Sequence, residues 1–403
     1  MNGILILAAL WIGLAVISTI LSRWLRLATA LTEIFVGIGA QLILTTWLGS
    51  TLLDSSQSWI QFLAGAGAIM LTFLAGAELD PIVFKQKWKE ATAVGVVSFL
   101  LPFLGCAAIA YYWLQWNIAA SWLTGIALST TSVAVVYAVM LEFGLNKTEY
   151  GKIILAACFV TDLGTVLALG LMFSPFTSKT VIFFVCTLLI CIILPSVMRV
   201  MFKWFGNRPS EFEAKLILFF LFAFGALAAW AGSEAVLPAY LIGIALAGTV
   251  GKNHPLIKRL RTLTLGLLTP FYFIRAGSLV SGPAIVSAPG IIGILLLGKI
   301  VTKIIGIYPV TRLFGSKNGE GIYTTLLMST GLTFGSISAL YGLSHKIINT
   351  DQYSWIIAVV IGSAIVPTMI ANIFFLPKHL IHKPKIETAL KEEITNETYP
   401  GSL

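Results

Sequence analysis

The stretch from Ala127 to Leu169, ALSTTSVAVVYAVMLEFGLNKTEYGKIILAACFVTDLGTVLAL, reads as two apolar segments joined by a short turn containing Gly144, Asn146, Lys147 and Thr148. Each segment approaches the roughly 20 residues that a helix needs to cross a bilayer. The first is interrupted near mid-depth by Ser129-Thr130-Thr131-Ser132, whose hydroxyls compete for backbone hydrogen bonds and weaken a helix. The second carries a carboxylate, Asp162, at its centre. A charge at that depth costs on the order of 3 kcal/mol on insertion scales, so an acid there points to function before structure. Cys158, Thr161, Asp162 and Thr165 are spaced to share one helical face.

The whole chain has this character. Of its 403 residues 58% are hydrophobic and 11% charged, with a mean hydropathy of +0.93. Soluble domains carry about 25% charged residues; here the surface must face lipid. The chain is expected to be an all-α polytopic membrane protein with about thirteen transmembrane helices. The spans begin near Ile4, Ala30, Trp59, Ala91, Ala120, Tyr150, Thr180, Ala214, Ala235, Thr262, Pro289, Gly321 and Tyr353. The opening MNGILILAAL lacks a basic leader and a small-residue cleavage site, and reads as the first span. With this register only Lys179 and Lys346 fall in one set of loops, and the loop cations otherwise lie in the other set. The positive-inside rule then places the N-terminus outside and the C-terminus in the cytoplasm of a cell inner (plasma) membrane.

Two halves of the chain resemble each other. FLAGAELDP in the third span and FIRAGSLVSGP in the tenth share an Ala-Gly pair followed by Leu. The fifth and twelfth spans share helix-weakening runs, Ser129–Ser132 and Ser329-Thr330-Gly331-Leu332-Thr333-Phe334-Gly335. Both pairs are seven spans apart, an odd offset that turns one copy upside down. The expected organisation is a first inverted repeat over 1–173, interrupted near 129–133, and a linker span over 174–209. A second repeat follows over 210–378, interrupted near 329–335, with a short polar tail over 379–403. The two six-helix repeats would bring the interrupted helices, with Thr130, Gly331 and Thr333 at their breaks, to cross at mid-membrane. Ordinary packing of small residues is the competing explanation of the runs.

Other charges also lie within spans. Lys299 and Lys303 are one turn apart on the eleventh span, placed to pair with Asp162 or to face the negative ends of broken helices. Arg275 lies near the outer end of the tenth span, within reach of the interface by snorkelling. Glu78 lies at the inner end of the third span, on the opposite side from Arg275. Glu33, early in the second span, reads as interfacial. The four histidines sit in loops or the tail, and the four cysteines inside apolar runs, where they act as small hydrophobes rather than as disulfide or metal ligands.

The net charge of +9 does not indicate nucleic acid, because no basic cluster alternates with stacking aromatics. There is no phosphate-binding G-x-x-x-x-G-K-[ST] loop and no potassium-channel filter sequence. Energy would come from an ion gradient, and no cofactor is implied. A small polar face with one acid suits a dehydrated monovalent cation or a proton, competing for the same carboxylate.

Thr131-Ser132-Val133, the Gly144–Thr148 turn with Gly151, and Asp162 together resemble the core of the cation/proton antiporter superfamily, in the branch of NapA-type and Kef-type exchangers. Phe73–Asp80 resembles the family's F-L-A-G-L-E-x-D, and Lys303-Ile304-Ile305-Gly306 its lysine-glycine motif. The resemblance implies a core domain moving like an elevator against a dimerisation domain, homodimers, and ion coordination by Asp162 with Thr131 and Ser132. The sequence departs from the family at Thr161, where an acid or Asn is usual, at Arg275, where an apolar residue is usual, and in its short tail, where Kef-type members carry a nucleotide-binding domain. The expected function is exchange of a monovalent cation, Na⁺ first and K⁺ second, for H⁺ across the lipid bilayer, electroneutral because one carboxylate holds either ligand. A cation-coupled solute symporter, which needs a second polar cavity, and a gated cation channel are the alternatives.

Overall fold

The computed structural model describes residues 2–25, 28–48, 53–77, 87–145, 148–173, 177–206, 211–233, 235–251 and 253–380, and every regular element among them is helical. The first part comprises α1 (Asn2–Leu25), α2 (Thr29–Leu48), α3 (Ser58–Ala77), α4 (Trp88–Ala108), α5 (Ile118–Ser129), α6 (Val133–Glu142) and α7 (Glu149–Met172). Next come α8 (Ser178–Phe205), α9 (Phe212–Trp230), α10 (Val236–Leu246), α11 (His254–Leu263), α12 (Thr269–Ser278) and α13 (Gly282–Ser287). The last group is α14 (Pro289–Leu313), α15 (Asn318–Met328), α16 (Thr333–Ser344) and α17 (Thr350–Ile370). Single π-helical turns extend α4 to Trp113 and α17 to Phe375, and join α11 to α12. Glu78 and residues 381–403 of the tail lie outside the described residues.

Among the described residues eight helices are long and apolar enough to cross a membrane: Ile4–Leu25, Ser58–Ala77, Trp88–Trp113, Glu149–Met172, Ser178–Phe205, Phe212–Trp230, Pro289–Leu313 and Thr350–Phe375. The other span starts read from the sequence fall on shorter helices (α2, α5 and α10) or on helices interrupted by a break or a π-turn. Capping fixes several starts. Thr148 accepts a hydrogen bond from the Gly151 amide at α7, and Thr177 caps α8 through the Thr180 amide; each occupies an amide that the first turn leaves unpaired.

The helices pack in two groups. In one, α4 contacts α5, α7 and α14, while α14 contacts α15 and α17. In the other, α3 lies against α10 and α12, and α2 against α1 and α12. The second group is held by two contacts of one design. Between α2 and α12, a Cβ at Gly37 would meet the Ile274 carbonyl oxygen at 2.3 Å, and one at Gly277 the Ile34 oxygen at 2.2 Å. Between α3 and α10, a Cβ at Gly76 would meet the Tyr240 oxygen at 2.5 Å, and one at Gly243 the Phe73 oxygen at 2.3 Å. Only glycine allows backbones this close, and close backbones are how helices gain contact where lipid offers no hydrophobic drive. This packing also corrects one expectation: Glu33, one residue before Ile34, is buried rather than interfacial.

Candidate ion-binding site

The site begins where two helices stop. The last residue of α5 is Ser129; Thr130 turns to an extended conformation (φ −62°, ψ 153°), and α6 begins at Val133. The last residue of α15 is Met328, and α16 begins at Thr333. The two breaks touch. The Ser132 amide donates to the Thr330 carbonyl at 3.1 Å, and Thr131 Oγ1 donates to the Met328 carbonyl at 2.9 Å. Ser129 to Ser132, Ser329 and Thr330 are all buried. The backbone groups released by each break are thus partly satisfied by the other, the condition for irregular backbone at membrane depth. Thr130 and Thr330 turn their hydroxyls back to Ala127 and Leu327 of their own helices, and Thr333 supplies the first turn of α16.

Two buried lysines serve the two breaks. Lys303 Nζ donates to Ser98 Oγ at 2.7 Å, to the Ser129 carbonyl at 2.9 Å and to Thr131 Oγ1 at 3.0 Å. All three ammonium hydrogens have an acceptor, and one acceptor is the C-terminal end of α5, where the helix dipole is negative. Lys299 Nζ, one turn earlier, donates to Ser363 Oγ of α17 at 3.1 Å, and that hydroxyl lies 3.4 Å from the Gly331 carbonyl. A Cβ at Gly331 would stand 2.2 Å from Lys299 Nζ and 2.8 Å from Thr130 Oγ1. In the alignment of the two runs Gly331 stands opposite Thr131. The missing side chain is the space that Lys299 fills.

Asp162 lies on α7, which contacts α5, α6, α15 and α16. It is 1% exposed, and its Oδ1 has no hydrogen-bond partner. Cys158, Thr161 and Thr165 on the same face are buried with it. The Thr161 hydroxyl is turned to the Ala157 carbonyl at 3.0 Å and the Gly95 carbonyl of α4 at 3.3 Å. Lys303 is near enough to act on Asp162 electrostatically, yet the two form no ion pair, since Lys303 is held by neutral oxygens. The arrangement offers an unpartnered carboxylate oxygen in a buried interior, on a helix face that also carries the Thr161 and Thr165 hydroxyls. That is a position where either a proton or a desolvated cation relieves the cost of burial.

Arg275 stands apart from this cluster, with Nε donating to the Ser55 carbonyl at 3.0 Å. Two participants were not recognisable in the sequence, Ser98 and Ser363. Each is a single serine in an apolar helix and looks like any small packing residue until the fold places a lysine beside it.

Comparison with known proteins adds the lineage. The chain is 27% identical over 330 residues to the probable Na⁺/H⁺ antiporter 3 of Methanocaldococcus jannaschii, covering 78% of this chain and 84% of that one. It is 25% identical over 358 residues to the glutathione-regulated potassium-efflux system protein KefC of Escherichia fergusonii, covering 83% of this chain and 54% of the relative. The chain spans about half the length of several curated relatives it matches. Among solved structures, the sodium proton antiporter MjNhaP1 from M. jannaschii superposes with a TM-score of 0.68 at 16% identity, covering 94% of this chain and 98% of that one, a likeness of fold. The model of the transmembrane sodium/hydrogen exchanger family matches residues 12–376, and the chain belongs to that family.

Proposed function

We propose that this chain exchanges a monovalent cation, Na⁺ in the first place and K⁺ in the second, for H⁺ by alternating access, with Asp162 carrying either ligand. The observation that carries the reading is the buried, unpartnered Oδ1 of Asp162 beside two crossing helix breaks. Thr131 and Ser132 supply neutral oxygens at the break, and Thr161 shapes the same face. Lys303 and Lys299 hold the breaks; Arg275 is peripheral. The named activities of the similar proteins are Na⁺/H⁺ exchange and potassium efflux, which favour a cation exchanger and leave both ions in play.

The architecture we propose has thirteen spans in two inverted repeats, 1–173 and 210–378, around a linker over 174–209. Its support is the pairing of the glycine contacts. Gly76 and Gly277 occupy matching positions in the two Ala-Gly motifs, and their partners Gly243 and Gly37 lie on the ninth and second spans, again seven apart. The N-terminus is placed outside and the tail in the cytoplasm of the plasma membrane, on the asymmetry of loop cations. The chain works as a homodimer in which the broken-helix group moves like an elevator against the glycine-packed group.

Proteoliposomes loaded with Na⁺, K⁺ or Li⁺ and a pH-sensitive dye test the function. Saturable proton counter-flow driven by Na⁺, weaker with K⁺, is expected. Cation flux without counter-flowing protons indicates a channel, and flux that requires an added solute indicates a symporter; either outcome overturns the reading.

A further inference from the structure

Arg275 lies within α12, half-buried, and among the described residues only its Nε has a partner, the Ser55 carbonyl. Among the described residues no carboxylate lies within 4 Å of it and its two terminal nitrogens have no acceptor. A guanidinium keeps its charge at any working pH, so within an apolar helix it needs a counter-charge or water.

The guanidinium faces a cavity of about 210 Å³ whose walls include Gln61 and Gly65 of α3, Tyr272 of α12, and Tyr341 and His345 at the end of α16. No acidic side chain lines it. His345 lies tilted by 31° over the Tyr341 ring, with centroids 4.0 Å apart, and its Nδ1 contacts the Tyr341 carbonyl at 3.0 Å. That contact orients the ring against the cavity wall. The lining residues Gln61, Gly65, Ser344 and His345 are all exposed, so the cavity is not sealed within the protein. Its polar walls are a guanidinium with two terminal nitrogens to offer, an imidazole, the Ser344 hydroxyl, a carboxamide that donates to the Ser56 carbonyl and a phenol that donates to Ser336, with one fixed positive charge.

We infer that this cavity binds a small monovalent anion, a halide or a short monocarboxylate, as the counter-ion of Arg275. The anion would sit between α3 and α12 on one side and the half-helix α16 on the other, joining the glycine-packed group to the broken-helix group. The site is separate from Asp162, and its test does not depend on which cation is transported.

The test is equilibrium binding of radiolabelled chloride to the purified full-length protein in nanodiscs, with acetate and sulfate as competitors. Saturable binding of chloride is expected, displaced by acetate and not by sulfate. Arg275→Gln should weaken it by about tenfold or more, the loss expected when a charge-assisted contact is removed. Gly65→Leu is the second variant. A Cβ there meets nothing within 4 Å, so the larger side chain occupies the cavity without crowding at its root, and it should block binding in a protein that elutes as the wild type does. Binding that is absent in the wild type for both chloride and acetate, or equal in wild type and a folded Arg275→Gln, overturns the inference. Should Arg275→Gln not fold, undiminished binding in Gly65→Leu overturns it as well.

Discussion

Asp162 and Lys303 face the same crossing without forming an ion pair. Lys303 spends its three hydrogens on Ser98, Ser129 and Thr131, and Asp162 Oδ1 is left with no partner. The charges are neighbours with separate work. The lysine bonds the carbonyl end of a broken helix, and on the proposed function the acid is the group that takes up the ligand. Thr161, the residue before the acid, is neutral, and its hydroxyl is turned toward the carbonyls of Ala157 and Gly95.

Asp162→Asn is the most direct test. A carboxamide has the shape of the carboxylate and ligates a cation weakly, but it holds no exchangeable proton. Proton counter-flow in proteoliposomes should fall to the level of empty vesicles while the amount of folded protein in the membrane is unchanged. Exchange near the wild-type rate would remove Asp162 as the carrier. Loss of the protein from the membrane would point instead to a structural role.

The two hydroxyl residues at the first break should differ. Thr131 Oγ1 accepts from Lys303 and donates to Met328, whereas Ser132 makes its contact with Thr330 through the backbone amide. Thr131→Ala removes one hydrogen bond to a charged group, about 1.5–3 kcal/mol, and frees an ammonium hydrogen beside the site. Ser132→Ala leaves the crossing bond intact. Both should raise the apparent cation KM, Thr131→Ala by about tenfold or more and with the larger fall in melting temperature, since Ser132→Ala removes the hydroxyl that accepts from the Val135 amide at 3.4 Å and touches no charged group. If both variants behave as wild type for Na⁺, K⁺ and Li⁺, the break is packing and not coordination.

Gly331 and Lys299 should be coupled. Gly331→Ala places a methyl 2.2 Å from Lys299 Nζ and 2.8 Å from Thr130 Oγ1, an overpacking that costs about 1–3 kcal/mol. Lys299→Ser clears the space. In a double-mutant cycle the alanine should therefore destabilise much less in the Lys299→Ser background than in the wild type, with a coupling of at least about 0.5 kcal/mol. Additive melting shifts would mean that the lysine moves aside freely and that the second break is not held by it.

How much of this was readable beforehand depends on the kind of signal. Asp162 and the Ser-Thr runs are conspicuous because apolar helices otherwise exclude them; α5 ends at Ser129, the first residue of its run, and α15 at Met328, one residue before its own. The partners of the lysines were not readable. Ser98 and Ser363 differ from packing serines only in what another helix brings to them, and those helices are distant in sequence, with 205 and 64 residues separating donor from acceptor. Periodicity put both lysines on one face, but it could not assign one to each break. That assignment follows from the crossing, which is a tertiary fact. Glu33 was misjudged for a similar reason. Its distance from the span end suggested an interface, whereas the fold buries its side chain.

The last prediction concerns charge movement. If Asp162 carries one proton in one direction and one cation in the other, each cycle moves equal charge both ways. A second proton from Lys303 would break that balance and couple exchange to the membrane potential by about 2.3 kcal/mol per 100 mV. The geometry argues against it. An ammonium that bonds two hydroxyls and the carbonyl at the negative end of α5 is stabilised in its charged form by contacts independent of Asp162. Binding a cation at Asp162 takes away none of those acceptors, so the one-carboxylate reading expects Lys303 to keep its proton. Exchange in proteoliposomes clamped with potassium and valinomycin, carrying Na⁺ as the substrate, should run at the same rate at positive, zero and negative potential. Lys303→Gln should then lower stability and rate while leaving that indifference to potential unchanged. A rate that follows the sign of the potential in the wild type, and ceases to do so in Lys303→Gln, would show the lysine to be the second proton carrier and overturn the one-carboxylate mechanism.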